Sequence, residues 1–216
     1  MNKKKPILIN KKIELELKPL LNSIRKMNVK SANFILFKRA LHDFSPKYGR
    51  AWKTFGFITR DMEWYTEYDA KEEIQTLFAY LGLTESLGNT FVNLLVMLIV
   101  ANGIDFHIEN IHETPHIRHA NSIEDLEKNR VPLHTKLNFL EDSGITEFVK
   151  IINRQLRNDI AHLNFDVRDD QVYIRGRPAF EHVTNSYANL LDAIKTVDIL
   201  IRRLVKDRGD LVPKNK

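Results

Sequence analysis

The 216-residue sequence contains no cysteine. This absence excludes disulfide bonds and thiolate metal sites, and nothing in the composition indicates an oxidising compartment. Internal repeats and low-complexity tracts are also lacking, and the longest apolar run, Leu94 to Ala101, is far shorter than the roughly 20 residues that cross a bilayer. The basic N-terminus is followed by the short apolar run Ile7–Ile9, too brief for the core of a signal peptide. We therefore expect a cytoplasmic protein with no membrane segment, in which residues 94–101 form a buried helix.

The composition is that of a globular protein, with 43% hydrophobic and 28% charged residues. The charge is unevenly placed. Residues 1–50 hold 13 Lys and Arg against 3 Asp and Glu, whereas the rest of the chain holds 20 against 25. A basic end on a mildly acidic body indicates a surface for a polyanion. A solubilising, partly frayed end would explain the same pattern, and charge alone does not separate the two.

Helical periodicity covers most of the chain. Capping residues, glycines and prolines give the bounds. The predicted helices are 11–27 (with a break or late start at Pro19), one that Ser31 caps, 69–81 ended by Gly82, 86–102 ended by Gly103, 122–130, 133–142, 145–163 and 178–206. Alternating residues at 165–168 and 172–175 predict a small β-hairpin, and residues 104–120, which are rich in histidine, are expected to form a polar loop.

Aromatic and basic residues are interleaved in residues 46–68. Such a mixture can stack and bind single-stranded nucleic acid. The same rings can instead belong to a loop that covers the edge of the core, and we favour this interpretation because buried rings are commoner.

The predicted helix 145–163 has two distinct sides. At about 100° per residue, an apolar stripe occupies one side, and it consists of Ile145, Val149, Ile152, Leu156, Ile160 and Leu163. On the opposite side, Arg154, Asn158 and His162 are spaced four apart, with Arg157 and Ala161 beside them. This side is either a solvated face or a site that faces a second subunit.

The seven residues from Leu156 to His162 read Leu-Arg-Asn-Asp-Ile-Ala-His. This segment resembles the Arg-x4–6-His signature of the HEPN superfamily (higher eukaryotes and prokaryotes nucleotide-binding domains). Asn158 supplies a polar residue directly after the arginine, and Ala161 directly precedes the histidine. The position late in a bundle, before a hairpin and a long last helix, is also similar to several prokaryotic members. The likeness in architecture covers about 70–207, but its specific part is these seven residues.

The resemblance implies a mainly α fold: an HEPN-like up-and-down helical bundle over residues 70–210, with the small hairpin at about 165–175 before the long C-terminal helix. Residues 1–69 would form a basic, aromatic helical extension packed on the bundle, and residues 211–216 a flexible tail. HEPN proteins dimerise across the motif helix. Many are ribonucleases of toxin–antitoxin, abortive-infection and CRISPR-linked defence, while others are inactive dimerisation or regulatory modules.

Carried over to this chain, the resemblance makes Arg157 and His162 the catalytic pair and Asn158 a polar support. Arg154 is outside the family motif, and we add it as an RNA- or phosphate-binding residue because it shares the same face. The expected protein is an endoribonuclease, a toxin or phage-defence effector, that binds RNA as a homodimer with a composite site. The resemblance also allows an antitoxin or a regulatory partner protein, and the alternative function is a non-catalytic HEPN-like dimerisation module.

The chemistry of these residue types is consistent with RNA cleavage. The 2′-hydroxyl of RNA can attack the adjacent phosphorus and leave a 2′,3′-cyclic phosphate, which requires a proton-transfer group near neutral pH and a cation for the phosphoryl oxygens. Histidine and arginine supply both, so no metal or cofactor is expected. Arg157 and His162 are five residues apart, about 140° around a helix, so they converge poorly in one chain. We therefore expect the monomer to be inactive.

Residues 112–116, His-Glu-Thr-Pro-His, match the letters of the zinc-protease motif H-E-x-x-H. That motif needs a continuous helix to put both histidines on one face. Pro115 is poorly tolerated there, because it lacks a backbone donor and pushes Thr114 out of helical conformation. A zinc hydrolase that uses His112, Glu113 and His116 is therefore the least favoured hypothesis, and a polar loop with exposed histidines is expected.

Overall fold

The computed structural model describes residues 9–59, 69–108 and 118–212. Its helices are α1 (Lys11–Lys26), α2 (Ala32–Ile58), α3 (Ala70–Leu83), α4 (Asn89–Ala101), α5 (Ile123–Lys128), α6 (Leu133–Asp142), α7 (Thr146–Ile151), α8 (Arg154–Ala161) and α9 (Phe180–Asp207). Its strands are β1 (His107–Ile108), β2 (Arg118–His119), β3 (Phe165–Arg168), β4 (Gln171–Ile174) and β5 (Arg177–Pro178). The predicted class is confirmed: the fold is mainly helical and bundle-like, with a small sheet before a long C-terminal helix.

The first two helices are longer and more regular than predicted. α1 runs through Pro19 without the expected break. The carbonyl that the proline leaves without a donor is that of Leu15, whose side chain lies on the exposed face, so water can reach it. Ser31 caps α2 as predicted, since its hydroxyl accepts from the amide of Phe34. α2 then continues through Pro46, so the prediction of a loop over 46–58 is wrong.

Aromatic packing explains why α2 continues. Tyr48 stacks on Phe44 and meets Phe91 of α4 edge-on, at centroid distances of 5.3 Å and 5.6 Å. Trp52 contacts Phe55, which in turn stacks on Tyr187 of α9. Spacings of three and four residues bring these rings to one face of the helix. The prediction that rings from this region pack at the edge of the core is confirmed for Tyr48, Trp52 and Phe55, whereas Phe57 is exposed and the residues at 60–68 lie outside the described ranges.

Residues 70–101 form one continuous helical stretch, so the predicted end at Gly82 is wrong. A π-helical turn, Thr84–Gly88, joins α3 to α4. The hydroxyls of Thr84, Ser86 and Thr90 each donate to the carbonyl four residues earlier, which satisfies backbone acceptors around the turn. The predicted end at Gly103 is confirmed, since α4 stops at Ala101 and Gly103 adopts φ +95°.

The stretch 70–101 is long and apolar enough to cross a membrane by length and composition. In this fold, however, 78% of its most apolar window is buried inside the protein. Every residue from Phe91 to Ala101 is buried. The apolar run therefore forms a core helix, as the sequence predicted.

The basic N-terminal helices meet acidic groups of the rest of the chain. Arg25 pairs with Asp207 of α9, and Lys47 pairs with Glu127 of α5. An acidic residue of α1 also contacts the rest of the chain: the carboxylate of Glu16 accepts from the amides of Thr146 and Glu147 and so caps α7. Some of the N-terminal basic residues therefore form ion pairs within the protein. Others, Arg39, Arg50 and Lys53, are exposed and have no ion-pair partner among the described residues.

The predicted hairpin is present as β3 and β4, and a short third strand, β5, was not predicted. Asp169 and Asp170 form its two-residue turn with φ of 48° and 59°, the left-handed pair that a type I′ turn requires. Glu73 of α3 is buried and accepts from the amide of Val172 at 2.6 Å, which fixes the sheet against the bundle. Burial raises the pKa of Glu73.

Buried apolar side chains from α1 through α9 belong to one hydrophobic core. Ile13 and Phe37 of the N-terminal helices are in it together with Leu95 and Ile160. Leu211, at the start of the tail expected from the sequence, is also buried, in the short 3-10 helix Gly209–Leu211.

Candidate functional site

The helix predicted over 145–163 is broken, and this corrects the sequence interpretation. α7 ends at Ile151 and α8 starts at Arg154, and neither Ile152 nor Asn153 between them has helical backbone angles. Asn153 caps α8, since its Oδ1 accepts from the amide of Leu156 at 2.9 Å. The phenol of buried Tyr80 accepts from the Asn153 amide at 3.2 Å. A side chain from α3 therefore stabilises the interruption between α7 and α8. Burial raises the pKa of the Tyr80 phenol.

The C-terminal end of α8 is strained next to His162. The amide of Leu163 donates to Ile160 and that of Asn164 donates to Asp159, which is the hydrogen-bond pattern of a Schellman motif. Such a motif puts its residue after the cap in the left-handed region, where glycine is usual, and here Leu163 has φ +55°. Leu163 is 63% exposed, so its predicted place on the buried stripe is wrong. The other five stripe residues are buried as predicted.

α8 and α6 form the sides of a groove of about 320 Å³, which we call the α6–α8 groove. Its polar lining consists of His134, Arg154, Arg157 and Asn158, and its apolar lining of Pro132, Leu133, Leu137 and Ile152. Three of the four predicted site residues therefore lie together. His162 does not line this groove.

Arg157 is held at the groove by two polar neighbours. Its Nε donates to Oε1 of Glu85 at 2.5 Å, and its Nη1 donates to Oδ1 of Asn158 at 2.9 Å. Glu85 comes from the π-helical turn between α3 and α4. Both charged side chains are partly exposed, Arg157 by 31% and Glu85 by 40%, so solvent screens the pair. An anion that enters the groove can therefore compete for the guanidinium.

Arg154 is bound by α6 in a similar way. Its two terminal nitrogens donate to Oδ1 of Asn138 at 2.6 Å and to Oε2 of Glu141 at 3.3 Å. The groove thus presents two guanidiniums on one short helix, each paired with a carboxylate from another element. This arrangement orients both cations and partly neutralises them.

His162 stands at the other end of α8. It is the C-cap residue, it is exposed, and its ring makes no hydrogen bond or ion pair with any described residue. Its backbone amide donates to the carbonyl of Asn158, so the backbone of His162 is held in place while its side chain has no hydrogen-bond partner among the described residues. A second molecule can therefore reach the imidazole without displacing a partner from the described ranges.

One of the helices that form the groove, α6, also carries a buried lysine. Lys136 of α6 is 3% exposed, and its ammonium donates to the amide oxygens of Asn89 and Asn93 at 2.5 Å and 2.8 Å. Desolvation lowers its pKa to about 8, although the carboxylates of Glu127 and Glu85 oppose that shift. Lys136 and Arg157 therefore both interact with the charge of Glu85.

Sequence reasoning missed His134 and Glu85. Each comes from an element distant in sequence from the motif, and neither belongs to a recognisable pattern, so no local signal identifies it. Asn153 did carry a signal, because asparagine is a favoured N-cap and could have placed a helix start at Arg154.

No group of three or more His, Asp or Glu that could hold a metal ion occurs within residues 9–59, 69–108 and 118–212. The zinc hypothesis concerns residues 112–116, which lie outside those ranges.

The chain was compared with protein families, with curated proteins and with solved structures, and none of them matches it. The function proposed below rests on the residues of the chain, on their geometry and on the resemblance of the motif.

Proposed function

We propose that this protein is a metal-independent endoribonuclease of the HEPN type, in which Arg157 and His162 of two protomers form one composite site. The observation that carries the proposal is the pairing of two features on α8. A partly exposed arginine lines a groove, and an exposed histidine without a described partner stands at the end of the same helix. These two residue types can supply the proton transfer and the charge stabilisation that phosphodiester cleavage in RNA needs.

In the proposed mechanism, a phosphodiester enters the α6–α8 groove and displaces the carboxylate of Glu85 from Arg157. Exposed ion pairs contribute only about 0.2–1 kcal/mol, so this exchange costs little. The guanidinium can then donate to two phosphoryl oxygens at once. Asn158 keeps its contact with Nη1 and thereby orients the arginine.

The histidines transfer the protons. One imidazole removes the proton from the 2′-hydroxyl, whose oxygen forms a bond to the adjacent phosphorus as the bond to the 5′-oxygen breaks. The second histidine, from the other protomer, gives a proton to the leaving 5′-oxygen. The products are a 2′,3′-cyclic phosphate and a free 5′-hydroxyl. His162 does not line the groove of its own chain, and each chain supplies only one such histidine. The proposal therefore places the reacting phosphodiester where the α8 helices of two protomers meet, within reach of both imidazoles.

The biological setting that we propose comes from the resemblance. A cytoplasmic toxin or phage-defence effector must be restrained in its host cell, so an antitoxin or another regulatory protein belongs to the proposal. Arg39, Arg50 and Lys53 give α2 exposed positive charge that could bind the backbone of an RNA substrate.

A second candidate function is a non-catalytic dimerisation module. The ion pair between Arg157 and Glu85 favours it, since this contact gives the arginine a structural role without any substrate. In that case the same helix face binds a second copy of the chain but cleaves nothing.

Incubation of the purified protein with total RNA in EDTA tests the proposal. His162→Ala and Arg157→Ala are compared with the wild type and with two controls, His42→Ala on α2 and Arg203→Ala on α9, whose side chains are 69% and 54% exposed. We expect cleavage by the wild type and by both controls, and none by the two site variants. The 3′ ends of the products are identified with a phosphatase that removes an open 3′-phosphate but does not act on a 2′,3′-cyclic phosphate until the ring has been opened.

Each other outcome has a distinct meaning. If no form of the protein cleaves RNA while the protein is dimeric, the dimerisation module is the correct function. If EDTA abolishes cleavage, the site uses a metal and the proposal is wrong. If His134→Ala rather than His162→Ala abolishes cleavage, the histidine of the groove is the proton-transfer group and one chain contains the whole site.

A further inference from the structure

α8 borders a second cavity, of about 580 Å³, that shares no lining residue with the α6–α8 groove. We call it the β4–α9 pocket, because the turn after β4 and the first turn of α9 enclose it against α8. Its polar lining consists of Asn153, Gln155, Asp159, Arg175, Arg177 and His182. The proposed nuclease function uses none of these six side chains.

Among the described residues, the pocket contains two arginines but only one buried carboxylate, that of Asp159. Asp159 is 4% exposed, and both of its oxygens accept from Arg175, at 2.9 Å from Nε and 3.2 Å from Nη2. Gln155 gives the same carboxylate a further bond at 3.1 Å. Asp159 is therefore satisfied by Arg175, and Nη1 of Arg175 makes no hydrogen bond with any residue in the described ranges. The side chain of Arg177 is exposed and makes no hydrogen bond or ion pair with the described part of the chain.

The backbone holds Arg175 at an unusual position. Arg175 and Gly176 form the two-residue turn between β4 and β5, with φ of 53° and 75°. Turns of this kind favour asparagine, aspartate or glycine at the first place, because other side chains are strained there. An arginine at such a place is a backbone outlier that points to a role for its side chain.

The opposite wall of the pocket supplies neutral donors. Oδ1 of Asn153 accepts from the Leu156 amide, so its Nδ2 must donate to Nε2 of His182, which lies 3.1 Å away. That contact leaves the proton of a neutral His182 ring on Nδ1, where it can donate to a ligand. The 28-residue helix α9 also begins at this wall without a side-chain cap, and helix N-termini favour anions.

We propose that the β4–α9 pocket is a binding site for a phosphate group, held by Arg177 and by the unused Nη1 of Arg175. Guanidiniums bind phosphate oxygens through charged hydrogen bonds. The volume is within the range of about 300–1,000 Å³ typical of small-molecule sites, so it has room for the nucleoside that carries the phosphate. The phosphate can belong to a free mononucleotide or to a strand of RNA. Binding of phosphate in this pocket does not depend on RNA cleavage by Arg157 and His162.

Binding of two probes tests this site, 5′-AMP and a fluorescent oligonucleotide of 2′-deoxyribose that the proposed mechanism cannot cleave. Both are titrated into full-length protein that carries Arg157→Ala, so that the groove contributes little. Arg177→Gln is the test variant, because its side chain has no described partner whose loss would unfold the protein. Arg168→Gln is the control, an arginine of the same sheet that is 62% exposed and lies outside the pocket.

We expect Arg177→Gln to weaken binding of at least one probe by about tenfold or more, the loss of one charged hydrogen-bonding group, and Arg168→Gln to change it less than twofold. An effect on AMP identifies a free nucleotide as the source of the phosphate, and an effect on the oligonucleotide alone identifies a nucleic acid strand. The proposal is overturned if neither probe binds, or if the two variants weaken binding equally. Neither result depends on whether the protein cleaves RNA.

Discussion

The core stretch 70–101 and the segment 145–164 are built in opposite ways. The first is continuous over 32 residues, and every residue in its last part, from Phe91 to Ala101, is buried. The second is interrupted at Ile152 and Asn153, carries Arg157 and His162 on a helix of eight residues, and ends in the strained backbone of Leu163. Apolar packing therefore stabilises the stretch 70–101, whereas the segment 145–164 has irregular backbone at both ends of a short helix that carries exposed polar side chains.

The largest expected effect separates chemistry from stability. His162→Ala should lower the rate of RNA cleavage by about 10²–10⁴-fold, the usual contribution of a proton-transfer group. The free energy of unfolding should stay the same, because the ring is exposed and has no described partner. Single-turnover cleavage and urea unfolding measure the two quantities. A variant that loses both together would mean that His162 supports the fold rather than the reaction.

The reverse result is expected in the core stretch. Leu98→Ala removes a fully buried side chain and should lower the free energy of unfolding by about 2–5 kcal/mol. Cleavage per folded molecule should remain at the wild-type rate at a temperature where the variant is folded. Leu15→Ala, at a position that is 67% exposed, is the control and should change stability by less than about 0.5 kcal/mol. Equal losses at both positions would contradict the assignment of the core.

Lys136 of α6 donates to Asn89 and Asn93 of the core stretch, and its burial predicts a pH dependence. Burial lowers its pKa to about 8 in the folded protein, against about 10.4 in an unfolded chain. Between these values the unfolded state binds more protons, so the free energy of unfolding rises with pH. This residue should contribute about 2 kcal/mol of added stability between about pH 8 and pH 10.

Lys136→Met should remove that contribution, since it has no titrating group, and Lys53→Met on the exposed face of α2 should keep it. Urea unfolding of the three proteins at both pH values measures the difference. An identical pH slope for the wild type and Lys136→Met would show that the lysine is not buried in solution.

The smallest expected effect concerns the strained end of α8. Leu163→Gly should raise the free energy of unfolding by about 1 kcal/mol, because glycine adopts a left-handed backbone without the steric cost that leucine has there. Leu15→Gly is similarly exposed but lies inside α1, and it should lower stability by about 1 kcal/mol. Thermal unfolding gives both signs. A loss of stability in Leu163→Gly would mean that the leucine makes contacts that outweigh its strain.

Local signals predicted the regular parts of this fold well. The bounds of α6 follow from the proline and the glycine near its ends, and the presence of the β3–β4 hairpin follows from alternating residues, although Gln171, expected in the turn, belongs to β4. The end of α4 at Gly103 and the cap at Ser31 were likewise set by residues next to them. Short-range chemistry was sufficient in these places because no distant group competes with it.

Contacts between distant residues decided the rest. α2 passes Pro46 because its rings pack on α4 and α9, and the motif helix breaks where the phenol of Tyr80 bonds Asn153. The sequence placed Arg154, Arg157 and Asn158 on one face, and the groove lining agrees with that placement. It could not supply Glu85 or His134, which reach the site only through the fold.

Cleavage rate measured against protein concentration tests the composite site most directly. RNA in EDTA is cleaved under single-turnover conditions over a range of concentrations, and sedimentation gives the fraction of dimer at each one. The account predicts that the rate per chain follows the fraction of dimer and vanishes where the protein is monomeric. A full rate per chain from a monomer, or no cleavage where the dimer predominates, would contradict it.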